Sequence, residues 1–424
     1  MAPQRLDSKN TSTAPSARLA LAPKGTQIFK KVARVFSVSV ASQGFAALSV
    51  LSIIVMDPAS SDSYAIGLQI GTATFAGYSI GVVYNIAIGR PSFSHWGLSM
   101  LGALASTVVL AGIIGGALSA VGQSQSVDGY IIGVFAVGSA ALGVAGVQAA
   151  RLACAGQPLR LAMMTIPSNV ALTLGSLFVW ALNLDSNWVP AALWAAVAVG
   201  QAALGVRSYS AARTAQVTRL APETGAHASG LVLGSIVASV APTLYLAAVS
   251  QLAAGVVSTL FVVWRVLNSV VNTGVSSLLL VAYSWSTRMK GAIPISSVLG
   301  CIGALPILVS ILGHLAGWSP LLTYGVGLAG VLCYVVASAL CMREANAQTM
   351  SRTILVKSII DVFASTAAIC LLFIHPSVMG FFAAYLVSQG VTLGVIATKF
   401  GSRWGLTAGV FAFAAAGYLL VAGW

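Results

Sequence analysis

The sequence predicts an all-α polytopic membrane protein with about 13 transmembrane helices: two six-helix lobes related by a parallel pseudo-repeat, plus one extra C-terminal helix. Three observations predict it. Apolar residues make up 58% of the chain and charged residues only 7%, where an ordinary soluble domain carries roughly 25% charged residues. The apolar residues fall into a regular series of segments, each near the about 20 residues that span a bilayer core. Cations recur in every second gap between those segments, while the intervening gaps hold aspartate, a lone histidine or no charge, which sets topology as well as class.

The spans read near 34–56, 64–89, 97–121, 129–150, 161–183, 188–206, 226–249, 252–283, 292–313, 320–341, 354–374, 379–398 and 404–423. The first is not a cleaved signal peptide, because it is longer than an h-region of roughly 7–15 residues. Asp57 and Asp62 lie in the first gap, Asp128 in the third and Asp185 in the fifth. Cations fill the alternate gaps: Arg90, then Arg151 and Arg160, then Arg207, Arg213 and Arg219. Arg288 with Lys290, Arg343 with Arg352, and Lys399 with Arg403 continue the series. Short cytoplasmic loops retain cations because these are hard to translocate, so the N-terminus is cytoplasmic and the C-terminus outside, in a bacterial inner membrane. Trp96, Trp285 and Trp404 at cytoplasmic ends, with Trp188, Trp318 and Trp424 at outer ends, act as interfacial anchors. The net charge of +13 is therefore a footprint of topology rather than a nucleic-acid patch. The five cysteines have no C-x-x-C spacing and read as small packing residues.

Residues 1–31, rich in Ser, Thr, Pro and scattered Lys/Arg, read as a disordered cytoplasmic tail able to touch anionic lipid through Lys24, Lys30 and Lys31. The N-terminal lobe is 32–206, a cytoplasmic linker 207–225, the C-terminal lobe 226–400 and the extra helix 401–424. Each lobe opens with a helix, a tight outer turn and a long helix rich in Gly, Ser, Thr and Asn, over 37–88 and 226–284. Tyr64-Ala65-Ile66-Gly67 restarts the chain in the first, and Ala253-Ala254-Gly255 takes that place in the second. An even number of spans per lobe gives both the same orientation, and parallel repeats of this kind build transporters whose substrate cavity lies between the lobes.

Charge inside the membrane costs at least about 2.5–3.5 kcal/mol at the helix centre, so it faces a cavity or a partner. Arg265 lies about 20 Å along the eighth span from its outer end, in the inner half of the core. Asn268 and Asn272 follow at i+3 and i+7, on the same helical face. One guanidinium with two amides suits a phosphate or sugar oxygen, because the guanidinium stays charged and donates in a fork; the alternative is an Arg tied to a neighbouring helix. Asp361 is the only carboxylate read within the spans, with Lys357 four residues before it. Three readings stay open: a local Lys357–Asp361 pair, a cross-helix Arg265–Asp361 pair, or an ion-coupling site. In the second span Gln69, Thr72 and Ser79 share a face, with Asn85 and Arg90 toward its cytoplasmic end; Ser and Thr there also serve as interhelical glue.

No phosphate-binding loop, H-E-x-x-H or G-x-S-x-G occurs, and no outer gap is long enough to fold a catalytic site around, so the chain does not read as an enzyme and implies no cofactor.

The lobe plan, mid-chain linker and basic N-terminus resemble the multidrug/oligosaccharidyl-lipid/polysaccharide (MOP) transporter superfamily, and within it the polysaccharide and lipid-linked oligosaccharide flippases. The local resemblance lies in Ser42-Gln-Gly-Phe through Tyr64-Ala-Ile-Gly-Leu-Gln to Tyr84-Asn85, and in Leu244 through Gly255-Val-Val-Ser to Arg265 and Leu278-Leu279-Leu280. It implies alternating access of two lobes and cationic residues in a central cavity holding a polyprenyl-diphosphate headgroup. Arg265 matches that role by position, with Arg90 the other candidate cation. The expected partners are a lipid-linked glycan, membrane lipids and enzymes of envelope glycan assembly, with no nucleic acid. Two other functions remain open: an ion-driven small-molecule exporter of the same superfamily, in which Asp361 and Lys357 couple the ion, and a non-transporting scaffold in envelope biogenesis.

Overall fold

The computed structural model describes residues 25–74, 104–105, 107–114, 128–154, 158–184, 188–207, 225–266, 291–347 and 350–422. Among them the chain is helical throughout, with no strand. In the first half, α1 is Gly25–Met56, α2 Pro58–Ala73, α3 Gly129–Cys154, α4 Pro158–Met163, α5 Ile166–Ala181 and α6 Val189–Arg207. In the second, α7 is Gly225–Val249, α8 Val256–Val266, α9 Ala292–Leu315, α10 Pro320–Ala347 and α11 Ser351–Ile374. Then α12, Val378–Thr392, runs on through one π-helical turn, Leu393–Ala397, and α13 is Arg403–Ala422. Seven of these helices are long and apolar enough to cross a membrane, so the protein is multi-pass.

Packing follows the repeat expected from the apolar pattern. In the first half α1 lies against α5, and α3 and α5 both lie against α6. In the second half the counterparts recur: α7 lies against α11, and α10 and α11 lie against α12. Without a hydrophobic drive between helices in lipid, close approach supplies the attraction, and small residues permit it. A Cβ at Gly230 of α7 would stand 2.9 Å from the Leu355 nitrogen and 3.0 Å from its Cα on α11. The Ser358 hydroxyl then donates to the Gly230 carbonyl at 2.8 Å across that seam.

The extra helix α13 packs on α12 and α9 in the same way. A Cβ at Gly409 would meet the Gly394 Cα and nitrogen at 2.7 Å, backbone that cannot swing aside. Gly409→Ala is therefore expected to push α13 off the π turn and destabilise the purified full-length chain by about 1–3 kcal/mol. An unchanged melting temperature would remove this account of how α13 is held.

Helix boundaries differ from the sequence expectation. Helix α1 starts at Gly25, so residues 25–31, read as part of a disordered tail, are helical. The fifth span is broken between α4 and α5 at Met164 and Thr165, where Pro167 lies in the first turn of α5 and cannot donate back into a continuous helix. The break is satisfied from α6: Gln201 Nε2 donates to the Met164 carbonyl at 2.8 Å, and Ser168 Oγ donates to Gln201 Oε1 at 2.7 Å. Helix α2 starts at Pro58 rather than Tyr64, so Asp62 lies inside a helix and is buried. Helix α8 starts at Val256, after a turn in which Gly255 has φ +86°, a left-handed backbone that glycine adopts without penalty.

Candidate functional site

Arg265 stands near the end of the described part of α8, half-buried. Its guanidinium carbon is 5.1 Å from the centroid of the Phe261 ring, one turn back on the same face, a distance at which the ring's negative face attracts the cation. The adjacent residue fixes the rotation of α8. Trp264 is buried, with its ring centroid 4.0 Å from that of Tyr385 and 6.1 Å from that of Phe382, both on α12. Tyr385 in turn meets Tyr245 of α7 at 5.4 Å. Edge-to-face and tilted aromatic contacts of this kind add about 0.5–1.5 kcal/mol each beyond burial, so α8 is fastened to its own half of the chain.

Gln69 is half-buried on α2, flanked by the buried Leu68 and Ile70. Asn268, Asn272, Asn85, Arg90 and Ser79 lie outside the described residues, as does the Thr72 side chain. The geometry thus describes one member of each proposed polar wall, Arg265 and Gln69, and not the faces as wholes.

Asp361 and Lys357 form the local pair. Lys357 Nζ is 2.8 Å from Asp361 Oδ2, and Ser388 Oγ of α12 donates to the same oxygen at 3.1 Å. Both ionic side chains are buried, with 9% and 2% of their side-chain surface exposed, so two charges have been taken out of their surroundings together. The other oxygen, Asp361 Oδ1, is buried with no hydrogen-bond partner among the described residues, and Ser365 Oγ, one turn further along α11, lies beside Tyr245 Oη on the facing α7. Orphaned buried oxygens are uncommon and mark a place where a proton, water or ion fits.

Two further carboxylates are buried without a sequence expectation to announce them. Glu344 lies in the last turn of α10, and Asp62 lies in the first turns of α2. Asp62 accepts hydrogen bonds from the Gly255 N–H (3.0 Å to Oδ2) and the Ser258 N–H (3.0 Å to Oδ1). The Ser61 and Ser258 hydroxyls meet at 2.8 Å beside it, and Ser63 Oγ accepts from the Asp128 N–H at 2.6 Å. The helix that carries Asp62 does have a signal in the sequence. Asp57-Pro58 is an N-cap followed by proline at the first helical position, and the Asp57 carboxylate does accept from the Ser60 N–H at 3.4 Å.

No family model and no curated protein matches the chain in sequence. Solved structures do match in shape. A structure described as the MATE multidrug transporter DinF-BH, solved as a complex, aligns over 92% of this chain and 98% of its own at 13% identity, with a TM-score of 0.58. A chain described as protein A aligns over the same shares at 12% identity and a TM-score of 0.55. A multidrug resistance MATE family transporter of the MOP superfamily, in an inward-facing conformation, aligns over 93% and 99% at 12% identity and a TM-score of 0.47. At these identities the likeness is one of architecture: the chain has a MATE-like fold.

Proposed function

We propose that the protein is a flippase that carries a lipid-linked glycan, held by its polyprenyl diphosphate, from the cytoplasmic to the outer leaflet by alternating access of its two halves. The observation that carries the reading is Arg265, a half-buried guanidinium on a helix locked to the second half, and Gln69, half-buried on the second helix of the first half, is its proposed polar counterpart. A forked cation suits a diphosphate because two of its oxygens can be met at once. Asn268, Asn272, Asn85 and Arg90 would extend the same wall toward the cytoplasm, where such a substrate is made. Membrane lipids and enzymes of envelope glycan assembly are the partners this role implies, and the inner membrane is its place.

A second reading, an ion-driven small-molecule exporter, is favoured by the buried Asp361, one oxygen of which has no partner among the described residues, with Lys357 beside it, and by the likeness in fold to a multidrug transporter. Depletion of the protein in cells separates the two. The flippase reading expects a cytoplasm-facing lipid-linked glycan precursor to accumulate in the inner membrane, several-fold over undepleted cells. Undisturbed precursor levels together with altered resistance to toxic organic cations would transfer the assignment to the exporter.

A further inference from the structure

We propose that Asp62 is an inter-lobe latch: its carboxylate, carried on α2 of the first half, caps the N-terminus of α8 in the second half and seals one end of the space between them directly above Gln69 and Arg265.

A helix start leaves backbone N–H groups without intrahelical partners, and these ordinarily take an oxygen from the residue just before the helix. Helix α2 obeys this rule with Asp57. Helix α8 does not. Its preceding residue is Gly255, which has no side chain, and the N–H groups of Gly255 and Ser258 are taken by a carboxylate 193 and 196 residues away in sequence. The cap is thus supplied from across the lobe boundary, and it exists only while the two halves touch. Ser61 and Ser258 double the contact through their hydroxyls.

The position of the latch gives it its role. Gln69 follows Asp62 by seven residues on α2, and Arg265 follows Ser258 by seven on α8. Seven residues are close to two full turns, so on each helix the latch residue and the candidate binding residue share a face, about 10 Å apart along the axis. Both helices run the same way from the latch, because each begins there. Charge alternation places this end outside, at the gap holding Asp57 and Asp62. The contact therefore closes the outer side of the site, and a substrate can leave outward only after Asp62 lets go of α8.

The contact is also suited to release. A buried carboxylate gives up its hydration, and here two backbone N–H groups and neighbouring hydroxyls compensate. In the open state water offers carboxylate and helix end the same service, so little is lost by parting.

The inference rests on the alternating-access reading above, but its test needs no substrate. In the full-length chain with cysteines other than Cys341 replaced, a Gln69→Cys probe is titrated with a membrane-impermeant thiol reagent from the outer side. Cys341 is fully buried and reports unfolding. Asp62→Ala is expected to raise labelling at position 69 by about tenfold or more, with Cys341 still protected; an unchanged rate with Cys341 protected overturns the proposal. Should Cys341 also label, the variant has unfolded, and a Ser61→Cys/Ser258→Cys pair in the chain that keeps Asp62 decides instead. A mild oxidant is expected to cross-link that pair and a reductant to release it, whereas absence of the cross-link overturns the latch. If these variants behave as expected while the unsubstituted chain moves no glycan, the latch stands and only the flippase assignment is lost.

Discussion

Arg265→Ala is expected to lower outward movement of the lipid-linked glycan by about 10- to 100-fold, the range that loss of one hydrogen bond to a charged group, about 1.5–3 kcal/mol, produces. The guanidinium packs over the Phe261 ring, so the variants are compared at matched abundance to keep folding out of the reading. Arg265→Lys keeps the charge but loses the fork and the planar contact with the ring, and an intermediate defect is expected. The measurement is the leaflet distribution of the precursor in cells expressing each variant at matched abundance. Full export by Arg265→Ala would detach this residue from the substrate.

The second large effect concerns the pair on α11. Lys357→Met leaves Asp361 buried without its counter-charge, a change worth about 3–5 kcal/mol in stability. Replacing both, as Lys357→Met with Asp361→Leu, removes the uncompensated charge and should recover most of that loss, because two apolar side chains suit the surroundings as well as the ions do. Thermal unfolding of the three purified chains reads the comparison directly. The double variant also separates structure from function. If it is as stable as the parent yet transports nothing, the pair serves the transport cycle rather than the fold, and Asp361 Oδ1, without a partner among the described residues, becomes the place to look for the ion, with Ser365 and Tyr245 beside it.

Much of the architecture is legible in the sequence because the bilayer imposes it locally. A run of apolar residues of sufficient length has few alternatives to a helix, and loop cations need no tertiary information to be read. The Lys357–Asp361 contact is open to reading for the same reason: its spacing is that of neighbours on one helix. The interruption of the fifth span is hidden, although Pro167 stands there, because apolar character continues through it. Asp62 reads as a loop residue from hydropathy, although Asp57-Pro58 announces a helix start. Its bond to α8 has no local signature at all, since the first of its partner N–H groups belongs to a residue type with no side chain and lies nearly half the chain away. Hydropathy finds helices; which helix end lacks its own cap becomes meaningful only when two halves are set side by side.

The seam between α12 and α13 has a practical consequence. Glycine backbone touching glycine backbone at Gly394 and Gly409, reinforced by Gly390 against Ala412, leaves no slack for sliding, so the last helix travels as one body with α12. A fluorophore attached just behind Ala422 then becomes a passive marker of the second half's position. Paired with a second dye on the exposed Lys30 side of α1, it turns each rocking event into a change of energy transfer, a ruler that can time the cycle of single molecules without touching the site.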